Sequence, residues 1–100
     1  MISHKFNAVQ TEYDGIKFPS KKEAKFYKEL KLRRDASEVL FFLRQVPFHL
    51  DGGIKYVVDF VIFWTNGTVS FVDVKGYKTS GYIMKKRLVE AKYPIKIEEH

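Results

Sequence analysis

Two acidic residues and a lysine lie where charge is seldom left alone. Asp59 interrupts the apolar run Tyr56-Val57-Val58-Asp59-Phe60-Val61-Ile62-Phe63, and Asp73 and Lys75 close the run Thr68-Val69-Ser70-Phe71-Val72-Asp73-Val74-Lys75-Gly76. Both runs read as buried strands, in which a carboxylate or an ammonium needs a partner. Two carboxylates with a lysine point to a metal-dependent site for phosphate chemistry. Hard divalent cations take carboxylate oxygens, and a lysine stabilises anionic oxygen. An acid two residues before a lysine carries no weight by itself. It recurs at Glu23-Ala24-Lys25, Glu29-Leu30-Lys31 and Glu90-Ala91-Lys92, where helical patterning makes it a solvated charge pair. Only Asp73-Val74-Lys75 ends an apolar strand and has a partner acid one strand earlier.

Strand parity decides whether the acids can meet, because successive side chains point to opposite faces. A two-residue turn at Asn66-Gly67 would set Asp59 and Asp73 on opposite faces. A three-residue loop, Thr65-Asn66-Gly67, pairs Trp64 with Thr68 and Asp59 with Asp73, with glycine in the left-handed bulge position. Directly opposed residues have Cβ atoms ~5 Å apart, so the two carboxylates would repel and a divalent cation would relieve them. The site requires the three-residue loop or a compensating bulge. Lys75, two residues after Asp73, is then expected on the same face.

The elements that must position these residues are legible in the patterning. Residues 9–18 read as a hairpin turning at Asp14-Gly15, with Val9 opening its first strand. Ser20 N-caps a helix, and Glu23 three residues later completes a capping box. Ala24, Tyr27, Leu30 and Arg34 share one face of that helix, which fades around 33–37. Val39–Leu50 reads as a strand in which Pro47 marks an edge position or a bulge. Asp51-Gly52-Gly53 is a turn, Ile54–Trp64 and Thr68–Lys75 are strands, and Gly76–Gly81 is a loop. A second helix spans 82–92 with Ile83, Met84, Leu88 and Ala91 as its apolar positions. It stops at Pro94, and Ile95–Ile97 makes a last short strand. The central strands are apolar on both faces, so a helix is expected on each side, giving a small α/β sandwich.

Composition narrows the class. One hundred residues make a single domain, with 45% hydrophobic residues and 16% aromatic, enough for one modest core. The chain has no cysteine, which excludes disulfides and thiolate metal sites and fits a reducing cytoplasm. No apolar run approaches the ~18 residues of a membrane span, and the N-terminus lacks the apolar stretch of a secretory signal. The net charge is +6, with basic residues gathered at 21–34 and 75–96. That asymmetry suits a polyanion, nucleic acid before membrane, although a solvated helix face explains charge alone equally well. Lys78, Thr79, Lys85 and Lys86 follow the acid–lysine motif and are candidates for phosphate contact or for simple solubility. Tyr77 and Tyr82 either stack on bases or pack. His4, His49 and His100 show no metal-ligand spacing.

The pattern resembles the PD-(D/E)XK nuclease superfamily, and within it small phage-encoded endonucleases. Three segments carry the likeness: Tyr13-Asp14-Gly15-Ile16-Lys17-Phe18-Pro19-Ser20-Lys21-Lys22-Glu23-Ala24, Val58-Asp59-Phe60 and Asp73-Val74-Lys75-Gly76. The run Gln45-Val46-Pro47-Phe48 followed by Asp59-Phe60 also looks like phage-type Holliday junction resolvases and transposase-associated nucleases. The resemblance implies a restriction-endonuclease-like αβββαβ core with a central mixed sheet flanked by helices, here preceded by the short hairpin, in one nuclease domain over 1–100. Asp59 takes the place of the first acid, although Val58 and not proline precedes it. Asp73 and Lys75 take the places of the second acid and the lysine, and Glu23 that of an acid on the first helix, beside its complete explanation as a cap. The resemblance further implies that Asp59, Asp73 and the Val74 carbonyl ligate Mg²⁺, with Mn²⁺ able to substitute. Lys75 would orient the attacking water. Phosphodiester cleavage in DNA would leave 5′-phosphate and 3′-hydroxyl ends, in the host cytoplasm if the chain is phage-encoded. Branched DNA such as a Holliday junction leads among substrates, and a symmetric homodimer would present two sites to two strands. The alternatives are a nucleic-acid-binding module without catalysis, and a nuclease subunit activated by a partner in recombination or packaging.

Overall fold

In a computed structural model, residues 10–100 are described; His4 and Val9 lie outside them. The hairpin is β1 (Thr11–Tyr13) and β2 (Ile16–Phe18), which pair antiparallel around Asp14 (φ 56°) and Gly15 (φ 74°). Two consecutive left-handed residues turn the chain with the twist a hairpin favours, which is why Asp-Gly is found there. Helix α1 (Lys21–Asp35) follows, capped by the Ser20 hydroxyl accepting from Glu23 N at 3.1 Å. Tyr27 and Lys31 of α1 both bond the Asp14 carboxylate, tying the hairpin to the helix.

The main sheet has the order β3-β4-β5-β6, with β3 (Val39–His49), β4 (Lys55–Trp64), β5 (Val69–Asp73) and β6 (Ile97–Glu99). The first two pairings are antiparallel, and β5 with β6 is parallel, as the crossover through α2 (Ser80–Lys92) allows. The sheet is thus mixed, with a helix on each face, as the patterning implied. Pro47 sits on β3, an edge strand, where its missing N–H costs no ladder bond.

Two apolar layers fill the space between sheet and helices. On the α1 side Leu30, Val39, Phe60, Ile62, Val72 and Val74 are buried together, with Phe26, Tyr27 and Phe42 against them. On the α2 side Leu50, Tyr56, Val58, Val61, Val89 and Ile97 form the second cluster. Fully burying a side chain such as Phe60 or Ile62 stabilises by roughly 1.5–3 kcal/mol.

The second helix departs from its sequence pattern. It begins at Ser80, capped by Thr79, and Ile83, Met84 and Leu88 face outward at 45%, 58% and 46% exposure. The buried face carries Val89 with Tyr82 against the same cluster. Two polar side chains also turn inward: Lys86 pairs with Glu99, and the Glu90 carboxylate accepts from Ile97 N at 2.6 Å. These bonds fasten β6 to the helix, and no hydrophobic periodicity reports them. Neither helix of the described residues is long and apolar enough to cross a membrane.

Candidate active site

The register at the β4–β5 turn is the one that opposes the acids. Phe60 pairs with Val72 and Phe63 with Val69, and Trp64 N donates to the Thr68 carbonyl across the loop Thr65-Asn66-Gly67. Gly67 has φ 91°, a conformation that favours glycine. The next pair along this ladder is Asp59 opposite Asp73, and there backbone pairing gives way to side chains. Asp59 N donates to Asp73 Oδ1 at 3.0 Å, and Val74 N donates to Asp59 Oδ2 at 3.0 Å.

The expectation that both carboxylates point into one site needs correction. Alternation breaks at this level of the sheet. Phe42 lies in the α1 layer but Val46 and Phe48 in the α2 layer, and Phe60 and Ile62 lie in the α1 layer but Tyr56 and Val58 in the α2 layer. All of these are even-numbered, so β3 and β4 both change face across Gln45 and Asp59. Gln45 has φ 54°, which turns the edge strand there. Asp59 is thereby aimed toward the N-terminus of α1, while Asp73 on regular β5 is aimed toward α2.

On the α1 side, three elements converge. Glu23 from the first turn of α1 is 2% exposed, and Asp59 is 6% exposed. Gln45 Nε2 donates to Glu23 Oε2 and to Asp59 Oδ1, both at 3.2 Å. Arg44 Nη2 reaches Glu23 Oε2 at 3.4 Å while its guanidinium lies 4.5 Å over the Phe18 ring. Lys75 Nζ stands 3.8 Å from Asp59 Oδ2. Burial pushes both carboxyls above their usual range, and for Glu23 the neighbouring Asp59 charge adds to the rise. The capping box is half formed: Ser20 caps the helix, but the Glu23 carboxylate turns to Arg44 and Gln45.

On the α2 side, Asp73 is completely buried. Its Oδ2 accepts from the Tyr56 hydroxyl and stands 3.1 Å from the Tyr82 hydroxyl. Burial first, and then the Asp73 charge among its neighbours, push both phenols upward. Tyr82 therefore packs and bonds here.

A cleft of about 830 Å³ opens over the acids, lined by Glu23, Gln45, Asp59, Val74 and Lys75, with Lys21, Lys22, Tyr77 and Thr79 at its mouth. Lys75 and Val57 also line a second hollow toward α2 with Lys55, Tyr82 and Lys85. The four residues expected to touch phosphate divide. Lys85 lines that second hollow, and the Thr79 hydroxyl accepts from Tyr82 N as the helix cap. Lys78 and Lys86 are both held by Glu99, at 2.9 and 3.1 Å, and these two cations lower the Glu99 carboxyl to about 2.

The cleft's donors suit a divalent cation: two hard carboxylates, Glu23 and Asp59, buried with charge that burial alone disfavours. The described residues hold no group of three or more histidines, aspartates or glutamates disposed around one ion. Asp73 has its oxygens occupied by the tyrosines and by Asp59 N. Sequence reasoning assigned no role to Gln45, Arg44 or Tyr56. Gln45 belongs to the run Gln45-Val46-Pro47-Phe48, whose only signal is resemblance, and Tyr56 is indistinguishable in sequence from any strand aromatic.

Fold and site together define a small α/β domain with an acid–lysine cleft rimmed by basic side chains. The chain belongs to DUF1064, a family described as protein of unknown function, whose model matches residues 3–98. No curated protein and no solved structure matches it.

Proposed function

We propose that this chain is a divalent-metal-dependent DNA endonuclease of the PD-(D/E)XK type, acting first on branched DNA such as a four-way junction. One observation carries the reading: Glu23 from α1, Asp59 from β4 and Lys75, two residues beyond β5, meet in one cleft that Lys21 and Lys22 also line. Buried acids facing a polyanion weaken binding, so a module that only binds gains nothing from them. Catalysis on phosphate does.

Asp59 and Glu23 would hold the ion, Mg²⁺ or in its place Mn²⁺, with the Val74 carbonyl beside them. Asp73 would join the set on leaving its tyrosines. Such an ion supplies a water of lowered pKa and positive charge for the phosphate. Lys75 lines both hollows, and its ammonium would stabilise anionic oxygen there. Lys21, Lys22 and Lys85 hold flanking phosphates and set the strand's register. Two copies about a two-fold axis would offer both strands of a junction such a cleft.

The test is cleavage of a labelled four-way junction beside a matched linear duplex in Mg²⁺, with Asp59→Asn as control. Junction-selective cutting that the variant lacks is the expected outcome. Cutting of both substrates would make the chain a general nuclease. Binding without cutting would move the reading to a partner-dependent subunit or a binding module.

A further inference from the structure

Gln45 is the residue of the cleft with the least ordinary backbone and the most specific side-chain placement. Its φ of 54° lies in the left-handed region, which side chains with a Cβ adopt rarely and which a long, non-glycine residue adopts at a cost. That turn marks the point where β3 changes face. It also aims one amide nitrogen between two acids from different elements, at 3.2 Å from each.

The chemistry of the amide fits the position. A carboxamide nitrogen carries two N–H groups, one for each carboxylate, and only that end of the side chain can face two acceptors. It is also uncharged. Arg44 and Lys75 already set one cation against each acid, at 3.4 and 3.8 Å, and a lysine or arginine at 45 would add a third and leave the pair with an excess of positive charge. The glutamine orders the pair without adding charge. Arg44 does not do the same, since it reaches Glu23 alone, at 3.4 Å.

We infer that Gln45 is a positioning residue, a neutral brace that holds Glu23 and Asp59 at the spacing in which a divalent cation is received. The inference rests on the metal-dependent reading above. Partners that orient metal ligands typically change affinity by roughly ten- to hundred-fold when removed.

The experiment measures Mn²⁺ binding by calorimetry and thermal unfolding with and without Mn²⁺, on the full chain, Gln45→Leu, Gln45→Glu and Asp59→Asn. Gln45→Leu removes both donors, and roughly ten- to hundred-fold weaker Mn²⁺ binding is expected of it. Gln45→Glu keeps the length but adds a third carboxylate. Its cation-free melting temperature is expected to fall, and its gain on adding Mn²⁺ to exceed that of the unsubstituted chain. A folded Gln45→Leu protein that binds Mn²⁺ as tightly as the unsubstituted chain overturns the brace. If Gln45→Leu does not fold, a Gln45→Glu protein whose gain with Mn²⁺ is no larger than that of the unsubstituted chain overturns it. An unsubstituted chain that binds no Mn²⁺, or an Asp59→Asn protein that binds it equally well, overturns the metal reading itself, and the brace with it.

Discussion

Asp59 and Asp73 occupy opposed positions on neighbouring strands, yet they live in different chemistry. Asp59 looks into an open cleft, shares it with a second acid and is pushed toward protonation by burial. Asp73 looks into a closed layer, takes one backbone and two tyrosine donors, and is completely buried. One side of the sheet gathers two acids into an open cleft beside Lys75; the other closes a single acid in among a backbone N–H and two phenols. Identity and register therefore do not assign a role to a carboxylate. Access to the cleft and a second acid beside it do, and both depend on which helix the strand aims it at.

Substitutions at the two acids should separate the two sides, with the largest effect on rate. Asp59→Asn is expected to lower phosphodiester cleavage ~10²–10³-fold or more, on the scale of removing one preorganised electrostatic group. It should leave cation-free stability near its starting value, since it removes charge from a repelling pair. Asp73→Asn should show the opposite emphasis, a loss of ~1.5–3 kcal/mol in denaturant unfolding, because its donors lose a charged acceptor. Equal stability of the two variants would erase the distinction between the two sides. Next in size is Tyr56→Phe, expected to cost about 1–2 kcal/mol by chemical denaturation because it takes one donor from a buried carboxylate. No measurable change would mean that Tyr82 and Asp59 N satisfy Asp73 without it.

The smallest effect concerns Glu99, which holds Lys78 and Lys86. Its folded pKa is depressed to about 2, so the stability it contributes is present above the unfolded value of ~4.3 and fades as pH falls through about 2. Glu99→Gln should remove that acid-range decline. It should also free both lysines, tightening DNA binding a few-fold at low salt and steepening its salt dependence. Unchanged DNA affinity would place Lys78 and Lys86 outside the nucleic-acid surface.

The elements were legible in large part. Ser20 as a cap, Asp14-Gly15 as a turn and the three antiparallel strands of the main sheet follow from local chemistry that a few neighbouring residues decide, whereas the turn at Asn66-Gly67 admitted two lengths and the last strand lies at Ile97–Glu99, two residues beyond its expected place. The face of α2 was not legible. Its apolar residues Ile83, Met84 and Leu88 point outward, and the inward face is chosen by Lys86 and Glu90 reaching β6. Those partners lie on β6, just beyond the helix, and hydrophobic periodicity cannot register a hydrogen bond to a neighbouring strand.

For the site, the cast was readable from residue order: an acid in each of two neighbouring strands, a lysine two residues after the second, and an acid in the first helical turn. The folded chain settles the register that opposes the strand acids and which of the four residues share a cleft. The left-handed turn at Gln45 and the change of face at Asp59 separate Asp59 from Asp73 and give it Glu23 as a neighbour. Parity along a strand is local and holds while the strand stays regular. Where the sheet coils to meet helices on both faces, packing of distant side chains sets the direction of each carboxylate.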